Sequence, residues 1–191
     1  MLRVVRKAAA VAIVCTGASA QMTPFCRPGI DSGVTCPCAN PPVGGGLGCN
    51  KFGSGPIPSS ILTAIGSPIA GPGDSIVLEA TGMNNAALYI FLQSKDMVGP
   101  VVYGAGIRCI GGSPLKRMYM GTAVVGSAAR PYPGDLDVHT RSATPPGPID
   151  VIPTNSTRYY MTFYRDPAAA VACPPSSRTF NCTNSGSILW S

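Results

Sequence analysis

Thr157-Arg158-Tyr159-Tyr160-Met161-Thr162-Phe163-Tyr164-Arg165 is the longest β-prone run in the chain. Aromatic and β-branched side chains dominate it, and these favour a pleated, half-buried surface. Alternation puts Tyr160, Thr162 and Tyr164 on one face and Tyr159, Met161 and Phe163 on the other. One face must be core. The opposite face has two readings: a tyrosine platform that stacks on sugar rings, or tyrosines covered by a loop.

Outward from this run the same pattern recurs in shorter pieces. In Ser75 to Ala80, Ile76, Leu78 and Ala80 share one face, as in a half-buried strand. Ala86 to Leu92 is apolar on both faces, which suits a central strand covered on both sides or a strand whose outer face meets a loop. Ile61 to Ile65, Val101 to Tyr103, Ile107 to Ile110, Leu115 to Met120, Thr122 to Val125, Leu136 to Arg141 and Ser187 to Trp190 complete the predicted strands. Pro145-Pro146-Gly147-Pro148 ends the strand before it, because proline has no amide hydrogen for a ladder. The expectation is an all-β chain: an antiparallel β-sandwich or jelly roll over 60–191, preceded by an irregular, disulfide-stapled segment over 21–59.

Met1 to Ala20 reads as a cleavable secretory signal peptide. Arg3, Arg6 and Lys7 precede an apolar run over Ala8 to Cys15, and Ala18-Ser19-Ala20 supplies the small-x-small cleavage pattern. The apolar run is too short for a permanent span, which needs about 20 residues, and no later stretch qualifies. The expected compartment is extracytoplasmic, secreted or at the cell surface. Removing the peptide takes three of the 14 basic residues, leaving eleven against eight acidic. Only Lys116 and Arg117 are adjacent among the rest, so the basic patch of a nucleic-acid binder is missing.

Seven cysteines follow the peptide: Cys26, Cys36, Cys38, Cys49, Cys109, Cys173 and Cys182. In an oxidising compartment they predict disulfides. Zinc knuckles place two to four residues between ligands, whereas the first four cysteines are separated by nine, one and ten, so no metal is expected. Cys36 and Cys38 flank a rigid proline and should each reach outward, to Cys26 or Cys49. Cys109 and Cys173 remain as a long-range pair closing a loop of about 65 residues, a stabilisation of about 4 kcal/mol on the chain-entropy model. Cys182 is left over and reads as a buried thiol.

No catalytic constellation stands out. Gly73-Asp74-Ser75 has the letters of an esterase nucleophile block, and a strand would put Asp137 and His139 on one face. The plainer reading is a turn aspartate before a strand and a surface histidine. Glycoside hydrolysis needs two flanking carboxylates, and the chain has a single glutamate, Glu79, with its aspartates mostly in turn contexts. No cofactor is expected. Asn155-Ser156-Thr157 and Asn181-Cys182-Thr183 are glycosylation sequons by letter.

Several separated motifs resemble an uncharacterised family of secreted, Cys-rich β modules of environmental bacteria, found alone or at the C-terminus of large exported proteins. They are Phe25-Cys26, Cys36-Pro37-Cys38 with Asn40, Gly48-Cys49-Asn50, Asp74 to Leu78 leading to Gly82-Met83, and Arg108-Cys109 before Gly111-Gly112. Tyr164-Arg165 and Phe180-Asn181 through Thr183-Asn184 to Trp190 complete the set. The resemblance implies an exported β fold without a known activity. It also implies six recurring cysteines, with Cys182 unpaired.

The expected function is a non-catalytic extracellular or cell-surface module acting in adhesion or envelope structure, with glycans or envelope proteins as partners. The first alternative is a carbohydrate-binding module using Tyr160 and Tyr164. The second is an esterase using Ser75 and His139.

Overall fold

A computed structural model describes residues 21–43, 47–112, 115–173 and 178–191. The signal-peptide reading over 1–20 lies outside the described residues. The elements in chain order are β1 (Thr23–Phe25), β2 (Ile61–Ile65), β3 (Val77–Thr81), β4 (Leu88–Ser94), β5 (Asp96–Tyr103), β6 (Gly106–Gly111), β7 (Lys116–Thr122) and β8 (Ala128–Arg130). Then come α1 (Val138–Ala143), β9 (Ser156–Arg165), α2 (Ala169–Ala172), β10 (Phe180–Cys182) and β11 (Ser185–Trp190). All strand pairings are antiparallel among the described residues.

The tyrosine-rich run is β9, at the centre of a six-stranded sheet ordered β1-β11-β9-β4-β7, with β10 also pairing β9. Its register puts Tyr164 opposite Tyr89, and Tyr160 between Gln93 and Gly186. On one face Tyr89, Phe91, Tyr160, Tyr164, Ile188 and Trp190 form a core with Leu62, Ala64, Leu78, Ala80 and Ala128 of the three-stranded sheet β2-β3-β8. On the other face Leu92, Met161 and Cys182 pack with Ile110 of the β5–β6 hairpin. The central sheet is therefore covered twice. Burial on this scale supplies the main folding drive, at about 25 cal/mol per Å² of apolar surface.

The sandwich architecture agrees with expectation, and most of the predicted strands appear within a few residues. One predicted strand is corrected: Leu136 to Arg141 is not β, because α1 runs from Val138 to Ala143. The Asp137 carboxylate accepts from the Thr140 amide at 2.6 Å and the Thr140 hydroxyl at 3.0 Å, an N-cap that closes a helical turn. Two-residue alternation over six positions is too short to outweigh that local bond. Thr122 to Val125 is likewise mostly a turn, since β7 ends at Thr122 and Val124 pairs across to Ser127.

The disulfides are Cys26–Cys109, Cys36–Cys49 and Cys38–Cys173, with Cα–Cα separations of 5.8, 5.7 and 4.8 Å. The expected Cys109–Cys173 bridge is thus wrong, and Cys38 reaches neither Cys26 nor Cys49. The physical reason is placement. Because β1 joins the central sheet beside β11, Cys26 lies against β6 and its Cys109. Cys38 sits with Cys173 in a small cluster with Ala105 and Ala169. Buried asparagines complete the attachment: Asn40 Nδ2 donates to the Ala105 carbonyl at 3.0 Å, and Asn181 Nδ2 to the Asn50 carbonyl at 3.0 Å. Several residues that carry the family resemblance thus satisfy backbone groups. Asn181, fully buried, also presents no surface for a glycan.

Cys182 is unpaired and buried. Its thiol donates to the Ile107 carbonyl at 3.3 Å, and burial pushes its pKa up to about 12 against the weaker opposing effects of the Ile107 backbone and the Arg108 charge. It packs as a small hydrophobe, as the sequence indicates.

Candidate functional site

Tyr160 and Tyr164, the expected sugar platform, have no exposed surface. Burial raises both phenols, opposed by the Trp190 indole beside Tyr160 and the Ser60 hydroxyl beside Tyr164. The expectation is corrected: both rings are core, because a second layer covers each face of the sheet. The opposite-face aromatics are also engaged, with Tyr159 edge-on to Phe25 at 5.7 Å and Phe163 at 5.1 Å from Phe180.

The esterase letters are spread over separate contacts. Ser75 Oγ accepts from the Ser67 amide at 2.9 Å. The His139 ring pairs with the Ile152 carbonyl at 3.3 Å and lies 6.1 Å from the Trp190 ring. Asp137 caps α1 instead of orienting the imidazole. Asp74 joins the two segments, accepting from the Ile76 amide at 2.9 Å and the His139 amide at 2.7 Å.

Asp74 also shares a hydrogen bond with the Asp137 carboxyl. Burial raises the Asp74 pKa to about 6, the Asp137 carboxyl adds to the rise, and the two amides oppose it. Burial pushes Asp137 the same way, yet its bonds to Thr140 and Asp74 outweigh that and hold it below its ordinary value. Asp74 therefore keeps the proton. A carboxyl whose folded pKa lies above its unfolded value of about 3.9 stabilises fully below that value and loses the contribution as pH rises through the folded one. Thermal melts of the protein should accordingly show Tm falling between about pH 4 and 7. Asp74→Asn should flatten that slope; an unchanged slope in the variant would overturn the assignment.

Two hollows lie along β7, one of the two edge strands of the central sheet among the described residues. Arg141 Nε donates to the Met118 carbonyl at 2.6 Å and Arg130 Nη2 to the Met120 carbonyl at 3.1 Å, so two guanidinium groups cap outward carbonyls of this edge. Such capping protects an edge from indiscriminate pairing. A furrow of about 380 Å³ runs beside it, floored by Leu115, Met118 and Met120, walled by Pro146 and Pro148, and flanked by Arg117 and Arg141. A second hollow of about 340 Å³ shares Met118 to Met120 and Arg141 and reaches Asp135. The Arg117 side chain is exposed, and its backbone stays in the β4–β7 ladder opposite Leu92.

A smaller pocket of about 180 Å³ is lined by Gln93, Ser94, Lys95, Lys116, Pro148, Ile149 and Asp150. Beneath it Arg158 grips Asp150 through two bonds of 2.6 and 2.8 Å. Burial pushes Asp150 upward, but the Arg158 bond and charge, then Lys95 at 3.3 Å, hold it below the usual carboxylate range. Gln93 Nε2 donates to Ser142 Oγ at 2.6 Å and to Asp150 Oδ2 at 2.8 Å. Lys116 Nζ donates to the Thr144 and Pro148 carbonyls at 2.8 and 2.7 Å, and burial lowers its pKa.

Sequence reasoning missed all three concavities, and only the smallest left a signal. The available signal was parity: Gln93 and Lys116 are polar residues in register with each other and on the inward phase of their strands. Among the described residues, no group of three or more His, Cys, Asp or Glu side chains is placed to hold a metal. No described helix is long and apolar enough to cross a membrane. Comparison with known proteins finds no matching family model, no matching curated protein and no matching solved structure.

Proposed function

We propose that the chain is a non-catalytic module working outside the cytoplasm, in adhesion or envelope structure, and that its contact surface is the β7 furrow. The observation that carries this reading is the furrow itself, an apolar floor flanked by arginines on an exposed sheet edge. Apolar anchors rimmed by guanidinium groups are the usual composition of a protein contact surface. Three disulfides support an oxidising compartment and brace a small scaffold for it. The resemblance to secreted Cys-rich β modules agrees with this reading. The esterase alternative has no support in the separate engagements of Ser75 and His139.

Co-sedimentation of the purified protein with envelopes of the producing cell tests the proposal. Wild type should sediment, and an Arg117→Glu, Met120→Glu variant should bind about tenfold or more weakly at unchanged Tm, since both residues are exposed. Equal sedimentation of the variant would remove the furrow from the account. A protein recovered wholly in the supernatant would remove the adhesion reading.

A further inference from the structure

The side of the β5–β6 hairpin that faces the central sheet is closely packed at Ile110 and opens toward Val101, with Arg108 opposite it in register. The Arg108 guanidinium lies over the Tyr103 ring, 5.1 Å from its centroid. Tyr103 in turn meets Phe180 at 5.0 Å and Phe163 at 6.5 Å. Arg178 comes two residues before Phe180, and Arg117 stands on β7 opposite Leu92, on the face that the hairpin covers. Burial raises the Tyr103 phenol above its ordinary value with a smaller push from Cys182, and the charges of Arg108, Arg117 and Arg178 oppose the rise. Three guanidinium groups, from β6, β7 and the segment before β10, thus converge on one ring.

No carboxylate balances them. All eight acidic residues of the chain lie among the described residues, and none forms an ion pair with Arg108, Arg117 or Arg178. Asp96, the acidic residue of the hairpin, pairs with Gly111 at its far end, and its carboxylate rests against Gly112. Arg108 is half-buried, and of its three guanidinium nitrogens only Nε is enclosed without a hydrogen-bond partner. The Tyr103 ring attracts this charge but neutralises none of it. A partly buried guanidinium without a counter-charge is costly, and like charges beside it add to the cost.

We propose that Arg108, Arg117 and Arg178 together bind a phosphomonoester dianion. A guanidinium donates and never accepts, so three of them make a site of donors alone. A phosphomonoester answers with three strong acceptor oxygens and about two negative charges near pH 7, one oxygen for each fork. A carboxylate brings two oxygens and a single charge, and satisfies the site less well. Arg117 and Arg178 are exposed and meet the anion from solvent, while Arg108 anchors it through its terminal nitrogens. The cluster shares Arg117 with the β7 furrow, but it does not rest on the adhesion reading.

Calorimetric titration of the full chain tests it, with glycerol 3-phosphate, acetate, and phosphatidylcholine vesicles with and without phosphatidic acid as probes. Glycerol 3-phosphate should bind and raise Tm in proportion to the logarithm of its concentration, and acetate should bind about tenfold or more weakly. Tighter binding of the phosphatidic acid vesicles identifies a lipid headgroup as the source; binding no tighter than glycerol 3-phosphate identifies a free phosphomonoester, and both support the site. Because Arg117 belongs to both surfaces, the variants are placed elsewhere. Arg178→Gln, at an exposed position, should weaken glycerol 3-phosphate about tenfold at unchanged Tm of the free protein. Arg108→Met should abolish binding without lowering that Tm, since it removes an unbalanced charge. Arg27→Gln, which removes a guanidinium already paired with Asp31, should leave the affinity unchanged. Absence of phosphomonoester binding, equal binding of acetate, unaltered affinity in Arg178→Gln, or equal weakening by Arg27→Gln would overturn the proposal. None of these titrations contains envelopes, so their failure and a failure to co-sediment are read separately.

Discussion

Replacing Cys38 and Cys173 together by alanine is expected to lower the unfolding free energy by about 5 kcal/mol, the largest effect of any single bridge. The two residues are 135 apart in sequence, so the bridge removes more loop-closure freedom from the unfolded chain than Cys26–Cys109, at 83, or Cys36–Cys49, at 13. The same chain-entropy relation gives about 4.5 and about 3 kcal/mol for those two. The three loops overlap in sequence, so these figures do not add. Domains of this size are stable by about 5–15 kcal/mol in total, which makes loss of the long bridge comparable to the whole at its lower end. Denaturant unfolding of the three alanine pairs under non-reducing conditions checks the ranking. A Cys38, Cys173 variant that loses no more than the Cys36, Cys49 variant would contradict it.

The second large effect is expected at the buried ion pair. Asp150→Ala should cost about 3–5 kcal/mol, because it leaves the Arg158 guanidinium, buried at 6% exposure, without its counter-charge. It also strips Gln93 Nε2 of one of its two acceptors and frees Lys95. Asp150→Leu combined with Arg158→Met should recover much of the loss, since the desolvation penalty then vanishes for both partners. Urea unfolding of Asp150→Leu, Arg158→Met and the double variant, beside Asp150→Ala, measures the coupling. A cost for Asp150→Ala below about 1 kcal/mol, the range of exposed pairs, would mean that the cluster is solvated.

These expectations rest on features of unequal legibility. That Ile76, Leu78 and Ala80 would share a buried face followed from two-residue alternation, and all three are core residues. The unbroken apolar character of Ala86 to Leu92 asked for cover on its outer face, by a second layer or by a loop, and β4 is covered by a layer on each face. That one cysteine would be left over followed from an odd count; that it is Cys182 was implied by the resemblance, since the elimination that also led there used the wrong Cys109–Cys173 pair. The rest are local or arithmetic properties, readable without knowing where distant segments lie.

The Tyr160 and Tyr164 platform was beyond such reading. Alternation separates the two faces of β9 but cannot say whether a second layer covers the face of Tyr160 and Tyr164, and here the β2-β3-β8 sheet does. The Asp137 cap shows the opposite case, a local bond overlooked because a short apolar alternation resembled a strand. The pocket over Asp150 draws on β4, β7, β9 and the 148–150 loop, none of which announces the others. Its one trace in the sequence was Gln93 and Lys116 on an inward phase.

By itself, then, the amino-acid sequence determined an all-β sandwich, the run at its centre, the faces of its simpler strands and a set of cysteines with one to spare. Period, turn chemistry and charge count act over a few residues, so they are written directly in the order of side chains. Tertiary structure alone decided the partner of each cysteine, the covering of both faces of β9, and the meeting of Lys95, Lys116 and Gln93. Those depend on contacts between segments up to 135 residues apart, which only the closed fold brings within bonding distance.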